Sequence, residues 1–156
     1  MTGLEIREAG VDAIDAVMSV METAFDPEYS EAWTRGQCLG ILIVPGVWIG
    51  VATIEGTPVG FSLNRAILDE AELLLIGVAP AWRGQGVGRA LMEFTLASAA
   101  ARGASTIHLE VRDGNPAMNL YAGAGFAVVG RRPAYYRGKS GKSYDAITLS
   151  RSLQCD

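Results

Sequence analysis

Alternating glycines between residues 84 and 88 form the segment of this sequence that is best suited to chemistry. Gly84, Gly86 and Gly88 directly precede a helical hydrophobic pattern, so the backbone N–H groups of a loop and of a helix N-terminus would lie uncovered together. Such groups bind phosphate oxygens at the positive end of a helix dipole. Arg83 and Arg89 add positive charge, and no acidic residue occurs between residues 73 and 92. The loop therefore predicts a site for a phosphate or pyrophosphate group.

Two nucleotide-binding motifs compete with this interpretation. A dinucleotide-binding fold also places glycines between a strand and a helix, and Glu110 would be its ribose-binding acid. In that fold the first glycine follows the strand directly, whereas residues 79–84 separate the strand from Gly86 here, and too little chain follows Glu110 for the remaining strands. The triplet Gly141-Lys142-Ser143 matches the end of a P-loop, but Tyr136 stands where that motif requires glycine. We therefore disfavour the first fold and predict a hairpin loop for the triplet.

Hydrophobic periodicity predicts the elements that must position the glycine loop. The expected order is strand, two helices, three strands, helix, strand, helix and two strands, at residues 4–8, 11–21, 26–42, 47–54, 59–68, 73–78, 87–102, 106–111, 115–121, 126–130 and 144–150. The second helix is expected to begin at Asp26-Pro27, to run through Trp33 and to end at Pro45-Gly46, and residues 55–58 are expected to form a turn. The sequence thus predicts an α/β fold with a mixed sheet and helices on both faces.

Composition narrows the function classes further. The chain has 156 residues, of which 49% are hydrophobic, which predicts a single domain covering residues 1–156. Its net charge of -4 argues against a nucleic-acid partner or an anionic membrane surface. The N-terminal residues lack the basic start and apolar run of a secretory signal, so we expect a cytoplasmic protein. Cys38 and Cys155 lack metal-binding or redox spacing, which predicts free thiols, and no residue cluster predicts a metal site.

Several ordered motifs resemble a known enzyme superfamily over most of the chain. They are Ile76-Gly77-Val78-Ala79-Pro80, then Arg83, Gly86 and Gly88 before a helix, then Leu109-Glu110-Val111-Arg112, Leu120-Tyr121 and Gly125-Phe126. This order and spacing resemble the GNAT superfamily of acetyltransferases. A narrower resemblance is to the RimI family, which acetylates the N-terminal alanine of a ribosomal protein. It rests on residues 67–71 and on Tyr135-Tyr136 followed by Asp145-Ala146. The resemblance implies a GNAT-like fold, with a central mixed sheet splayed at the cofactor strand, and acetyl-CoA as cofactor.

The resemblance also implies where acetyl-CoA would bind. It implies that the central strand splays open after Ile76 and Val78, so that their free backbone groups pair with the pantetheine arm and the Val78 amide faces the thioester oxygen. The implied pyrophosphate-binding residues are Arg83, Gly84, Gln85, Gly86, Val87, Gly88 and Arg89. Asn115 is the further candidate for the pantetheine arm. It stands six residues before Tyr121, whereas relatives usually place an asparagine seven before the tyrosine, so this loop is one residue shorter.

Amide formation from a thioester requires a base for the amine, stabilisation of an oxyanion and an acid for the leaving thiolate. An isolated Glu110 on a strand would be an ordinary solvated residue, but the resemblance implies that it is the general base, directly or through a water. Glu72, at the start of the central strand, is the alternative base. Tyr121 would be a core aromatic by itself, and the resemblance implies that its hydroxyl protonates the thiolate. His108 has no visible partner, which favours a structural role.

The acceptor is the least determined part of the prediction. An α-amine with a pKa of about 8 is about a tenth unprotonated at neutral pH, whereas a lysine at about 10.4 is almost fully protonated. A modest base therefore favours a protein N-terminus, such as that of a ribosomal protein. The residues that would line the acceptor groove, or simply pack, are Trp33, Arg35, Tyr135, Tyr136 and Arg137. The alternatives are a small-molecule amine as the acceptor, or a non-catalytic acyl-CoA-binding module. We also expect the protein to be a monomer or a weak homodimer.

Overall fold

The computed structural model describes residues 3–153, within which the chain forms seven strands and four α-helices. Their bounds are β1 (Leu4–Ala9), α1 (Ile14–Ala24), α2 (Arg35–Leu42), β2 (Val47–Ile54), β3 (Thr57–Ile67), β4 (Glu70–Val78), α3 (Val87–Ala101), β5 (Thr106–Arg112), α4 (Ala117–Gly123), β6 (Ala127–Arg137) and β7 (Ser143–Ser152). The order of strands and α-helices is the one expected from periodicity. None of the helices in this part of the chain is long and apolar enough to cross a membrane.

The strands form one mixed sheet in the order β1-β2-β3-β4-β5-β7-β6. All neighbours are antiparallel except β4 and β5, which are parallel and pair only from Glu70 to Glu72. The expectation that the strand splays after Ile76 and Val78 was therefore wrong about where the opening begins, since both residues lie inside it. A bulge explains the early separation, because Leu74 has no partner between Leu73 and Leu75 in the register with β3.

Helices cover both faces of the sheet, as predicted. Ile49 and Val51 of β2 pack with α1 on one face, whereas Trp48 lies in the hydrophobic cluster that contains residues of α3 on the other. Gly50 lets α3 lie close to the sheet, because a Cβ there would stand 2.5 Å from Cε1 of Phe94. The central strands β2 and β3 are thus buried on both faces, whereas β6 at the edge of the sheet is largely exposed.

The prediction of one helix from Asp26 to Leu42 was wrong. Asp26 does accept a hydrogen bond from the Glu28 N–H, at 2.9 Å, but it caps only a 3-10 turn that ends at Ser30 in the left-handed region, with φ 52°. A stronger start signal lies further along, where Thr34 and Gln37 cap each other's backbone N–H groups and begin α2. The α1–α2 connection, residues 25–34, is consequently an irregular segment that crosses one end of the sheet.

The remaining differences are small. The turn between β2 and β3 consists of Glu55 and Gly56 alone, both with positive φ, so β3 begins at Thr57 rather than at residue 59. The predicted hairpin loop is confirmed as residues 138–142 between β6 and β7. Cys38 is a free, buried thiol in α2, and Cys155 lies outside the described residues.

Candidate active site

The separation of β4 from β5 opens a cleft of about 890 Å³. Residues 73–78 of β4 form one wall and residues 109–112 of β5 form the other. The start of α3 lies along the same cleft, as do the start of α4 and part of the α1–α2 connection. Most of the predicted functional residues therefore surround one space, although they come from distant parts of the chain.

The open wall of β4 presents backbone groups that have no strand partner on the β5 side. Ala79 N–H donates to Val59 O at 2.9 Å, and this bond flanks the register pair Gly60 and Val78. In an antiparallel ladder such a pair does not exchange hydrogen bonds, so the N–H and C=O of Val78 point away from β3. Because the pattern alternates, the same holds for Ile76, which is opposite Ser62. Both residues thus direct a backbone donor and acceptor into the cleft, as a pantetheine arm would require.

The glycine loop begins α3 at the end of this wall. Gly84 and Gly86 have φ angles of 75° and 87°, and a Cβ at either would meet open space, so the glycines serve backbone conformation. Gly86 is the N-cap of α3, and the first N–H groups of the helix have no partner within it. A Cβ at Gly88 would make an ordinary van der Waals contact 3.4 Å from Leu120, so packing against α4 does not require glycine there. The loop has the geometry of an anion site.

The two arginines of this region differ in their contacts. Arg83 folds back and donates from Nε to Val78 O at 3.2 Å and from Nη2 to Ala24 O, so it also connects the loop to α1. Arg89 is exposed and lies 3.5 Å from a carboxylate oxygen of Glu93. Both side chains line the cleft, and both keep a charge near the N-terminus of α3.

Other predicted cofactor residues are divided between the cleft and its surroundings. Ile76, Val78, Gly84, Gly86, Gly88 and Asn115 line the cleft. Gln85 and Val87 do not, because the Gln85 amide donates to Ala81 O and the Val87 side chain is buried in the core. Only backbone groups of those two residues can face an anion. Asn115 is already engaged, since its Oδ1 accepts from Ala117 N–H at 2.9 Å and its Nδ2 donates to Glu31 at 3.3 Å.

Glu110 and Tyr121 both line the cleft. The Glu110 side chain is 24% exposed, and its Oε2 lies 3.3 Å from Nε of Arg132. Tyr121 is buried, and burial first, then the charge of Glu31 and the nearby Tyr136, raise its pKa well above the usual range. The phenol therefore keeps its proton at any physiological pH, which suits a proton donor.

The alternative base is placed differently. Glu72 lies in the short stretch where β4 and β5 remain paired, opposite His108, and the two side chains approach to 3.8 Å. Neither residue lines the cleft. The geometry therefore favours Glu110 over Glu72 as the base, and it gives His108 a carboxylate neighbour that the sequence did not reveal.

The residues predicted for an acceptor groove are scattered. Trp33 packs against α1, and Arg35 binds Asp15 on the surface with a 2.7 Å contact between Nη2 and Oδ1. Tyr135 is 53% exposed. Tyr136 is half-buried near the cleft, where burial and the charges of Glu110 and Glu31 raise its pKa to about 12. Arg137 is exposed at the end of β6.

Sequence reasoning missed Glu31 and the role of Arg112. Arg112 is buried to all but 5% and lies over the Tyr29 ring, with Cζ 3.4 Å from the ring centroid. Glu31 lines the cleft beside it. No local signal could have identified this pair, because the partners of Glu31 are more than 80 residues away in sequence, as its contact with Asn115 at a separation of 84 shows.

A family model of the acetyltransferase (GNAT) family matches residues 14–126, which include the cleft walls, the glycine loop and α4. The chain belongs to the GNAT family of acetyltransferases. Members of this family transfer acetyl groups from acetyl-CoA, and this GNAT protein is accordingly an acetyl-CoA-dependent N-acetyltransferase.

Curated relatives and a solved structure are similar to this GNAT enzyme. It is 35% identical over 104 residues to the ribosomal protein bS18-alanine N-acetyltransferase of Haemophilus influenzae, which covers 66% of this chain and 71% of that protein. It is 42% identical over 94 residues to the N-alpha-acetyltransferase RimI of Mycobacterium tuberculosis, covering 57% of this chain and 58% of that one. The crystal structure of the ribosomal-protein-S18-alanine N-acetyltransferase from Escherichia coli superposes with a TM-score of 0.87 at 27% identity, covering 98% of this chain and 96% of that chain.

Proposed function

We propose that this enzyme acetylates the α-amine of an N-terminal alanine on a ribosomal protein. One observation carries the chemistry, namely that Glu110 and Tyr121 line the same cleft as Ile76 and Val78, whose backbone groups point away from β3. The named substrate of the Haemophilus influenzae and Escherichia coli relatives supports the acceptor.

The cleft fits acetyl-CoA. Both backbone groups of Ile76 and the N–H of Val78 would pair with the pantetheine arm, as a neighbouring strand would, while the C=O of Val78 accepts from Arg83. The pyrophosphate would lie on the backbone N–H groups of residues 84–89, where an added Cβ at Gly84 or Gly86 meets nothing and an anion has room to approach. Arg83 and Arg89 would contribute charge. Acetyl-CoA supplies the activated thioester carbonyl.

Three groups of the chain then share the proton and charge transfers. Glu110 takes a proton from the acceptor nitrogen as that nitrogen attacks the carbonyl, directly or through one water. The Val78 N–H donates to the carbonyl oxygen as negative charge develops there. Tyr121 donates its phenolic proton to the departing sulfur, which with a thiol pKa of about 8.5 needs only a weak acid. Direct attack makes both substrates bind before either product leaves.

Mass spectrometry of acetylated products tests this proposal. The enzyme is incubated with acetyl-CoA and three peptides: one that begins with the alanine of a ribosomal protein, the same peptide with its N-terminus blocked, and a blocked peptide that contains a lysine. We expect acetylation of the first peptide alone, with stoichiometric release of thiol. A preference for the lysine or for a polyamine, or thiol release no faster than without acceptor, would contradict the proposed acceptor.

A further inference from the structure

Glu31 occupies the wall between two adjoining hollows. It lines the main cleft, and it also lines a second hollow of about 360 Å³ on the outer side of the α1–α2 connection. Met18, Met21 and Trp33 make the second hollow largely apolar. An acceptor that lies in the second hollow and reaches toward β5 must therefore pass the Glu31 carboxylate.

The contacts of this carboxylate are long. Oε1 lies 3.7 Å from Nη2 of Arg112, which is beyond hydrogen-bond distance, and Oε2 accepts from Nδ2 of Asn115 at 3.3 Å. Charge-assisted hydrogen bonds in proteins are usually about 2.7–2.9 Å. The Glu31 side chain is only 17% exposed, so water compensates little of its charge.

Arg112 forms only a long ion pair with Glu31 and also packs against two aromatic rings. Its guanidinium lies over the rings of Tyr29 and Tyr144, with Cζ 3.4 Å and 5.6 Å from the two centroids. Its Nε is buried without a hydrogen-bond partner among residues 3–153. Burial consequently raises the pKa of Glu31 despite the opposing effects of Arg112 and Asn115. A cation close to Glu31 would complete an interaction that the protein leaves unfinished.

Glu31 also acts on the groups predicted to carry the chemistry. Its charge raises the pKa of Tyr121, and together with Glu110 it raises the pKa of Tyr136. The carboxylates of Glu31 and Glu110 thus face one region, and Oε2 of Glu110 is already close to Arg132. Of these two acids, Glu31 has the less compensated charge.

We infer that Glu31 binds the protonated amine of the acceptor as it enters and selects for cationic acceptors. The ammonium group lies between Glu31 and Glu110 and loses one proton to water before it attacks. Its second proton passes to the Glu110 carboxylate during the attack, and Glu31 stays ionised throughout. Glu31 is therefore a specificity-determining residue of the acceptor site. The inference rests on the proposed function only in its choice of a peptide probe, because the same contact would serve any cationic amine.

Binding of two small probes tests the charge contact without turnover. Alanine amide is a cation, propionamide is its neutral counterpart without the amine, and both are titrated by NMR into enzyme saturated with coenzyme A. We expect the wild type to prefer the cation about tenfold or more, as for one charged hydrogen bond, and Glu31→Gln to lose most of that preference. Glu31→Asp should retain part of it.

Glu28→Gln is the matched control, because Glu28 belongs to the same connection and lies outside the lining of the cleft. Loosening of the connection in that variant would weaken both probes alike and leave their ratio unchanged. The inference is overturned if Glu31→Gln keeps the wild-type ratio, or if Glu28→Gln loses it to the same extent.

Steady-state kinetics separates this inference from the proposed function. With an alanine-starting peptide, Glu31→Gln should raise the acceptor KM about tenfold and leave kcat within about threefold, whereas Glu110→Gln should lower kcat. A fall in kcat with unchanged acceptor KM in Glu31→Gln would contradict an acceptor-binding role. A wild-type enzyme that does not use the peptide contradicts the proposed acceptor, and the two-probe comparison then decides the role of Glu31 independently.

Discussion

The two ends of the cleft are built on different principles. At the cofactor end, contiguous residues from Ile76 to Arg89 present backbone N–H and C=O groups, and the glycines keep those groups accessible. At the acceptor end, side chains converge from the α1–α2 connection, β5, the start of α4 and β6, and they carry charge of both signs. The first end can bind a ligand common to a whole family, while the second can change its ligand through single side chains.

Hydrogen bonds of Glu28 hold the acceptor end in place from outside the cleft. The Glu28 carboxylate accepts from the Ser140 N–H at 2.8 Å and from the Tyr144 hydroxyl at 3.1 Å, and its backbone oxygen accepts from Lys139 N–H at 2.8 Å. These bonds join the α1–α2 connection to the hairpin loop. The cofactor end has a link of its own, in which Arg83 joins the glycine loop to β4 and α1. Because that loop is also held between a strand and a helix, the acceptor end should be the easier of the two to perturb.

The largest expected effect concerns the chemical step that both ends serve. Tyr121→Phe should lower kcat about 100-fold or more, because it removes the proton donor and keeps the buried ring. Acetyl-CoA binding, measured by calorimetry, should remain close to that of the wild type. Tyr135→Phe, an exposed position outside the lining of the cleft, is the control. A kcat within twofold of the wild type for Tyr121→Phe would remove the tyrosine from the mechanism.

Gly86→Ala tests the cofactor end. Gly86 has φ 87° and Gly103, beyond the far end of α3, has φ 89°, and a Cβ meets nothing within 4 Å at either. The strain of a left-handed alanine should therefore lower the free energy of unfolding by about 1 kcal/mol in both variants. Only Gly86→Ala should raise the KM for acetyl-CoA, by about tenfold, because its Cβ stands among the N–H groups that would bind an anion.

Equal stability losses with unequal KM values would assign the glycine loop to the cofactor. If both variants bind acetyl-CoA alike, the loop does not contact it. Denaturant unfolding and initial rates at varied acetyl-CoA concentration supply the two measurements.

Glu28→Ala tests the tie at the acceptor end. Loss of its hydrogen bonds should raise the acceptor KM about threefold, with the acetyl-CoA KM unchanged, because exposed polar contacts have modest energies. Hydrogen exchange should become faster in residues 25–34 and 138–142 but not in the glycine loop. Faster exchange at the start of α3 as well would mean that the two ends are not independent.

Low pH should weaken the same hydrogen bonds of Glu28. The Ser140 hydroxyl and N–H hold the pKa of Glu28 below its ordinary value of 4.5. A carboxylate with a lowered folded pKa contributes stability that is fully present above 4.5 and is lost as the pH falls through the folded pKa. Protection against hydrogen exchange in the α1–α2 connection of the wild type, relative to the intrinsic exchange rate at each pH, should therefore fall only below that value, and the fall should be absent from Glu28→Ala.

The smallest effect is expected from Glu31→Gln on stability. Burial raises the folded pKa of Glu31 above the ordinary value of 4.5. Between these two values the unfolded chain binds fewer protons than the folded chain, so the free energy of unfolding falls as the pH rises through this interval. Glutamine removes this loss, so the variant should be slightly more stable than the wild type at neutral pH and should show no such advantage in acid. Denaturant unfolding at both pH values measures the difference, and a variant that is less stable at neutral pH would contradict it.

The fold could be predicted in order and type because its signals are local. Alternating and helical hydrophobic patterns gave the type and order of every strand and α-helix, and the pairing of β6 with β7 followed from the short loop between them. The second helix was misplaced because two start signals compete within residues 26–34, and the capping box of Thr34 and Gln37 determined where α2 begins. The onset of the cleft was misplaced because the bulge at Leu74 depends on pairing with β3.

The sequence and the tertiary structure revealed different parts of the site. The sequence by itself determined the family and the glycine loop, because short motifs recur in a fixed order and spacing, and the resemblance to that family implied the roles of Glu110 and Tyr121. Only the tertiary structure decided that Glu72 lies in the paired part of the sheet, that Arg83 binds backbone carbonyls, and that Glu31 meets Arg112 and Asn115. Such contacts form where distant segments of the chain cross, and neither residue types nor their spacing indicate which segments will cross.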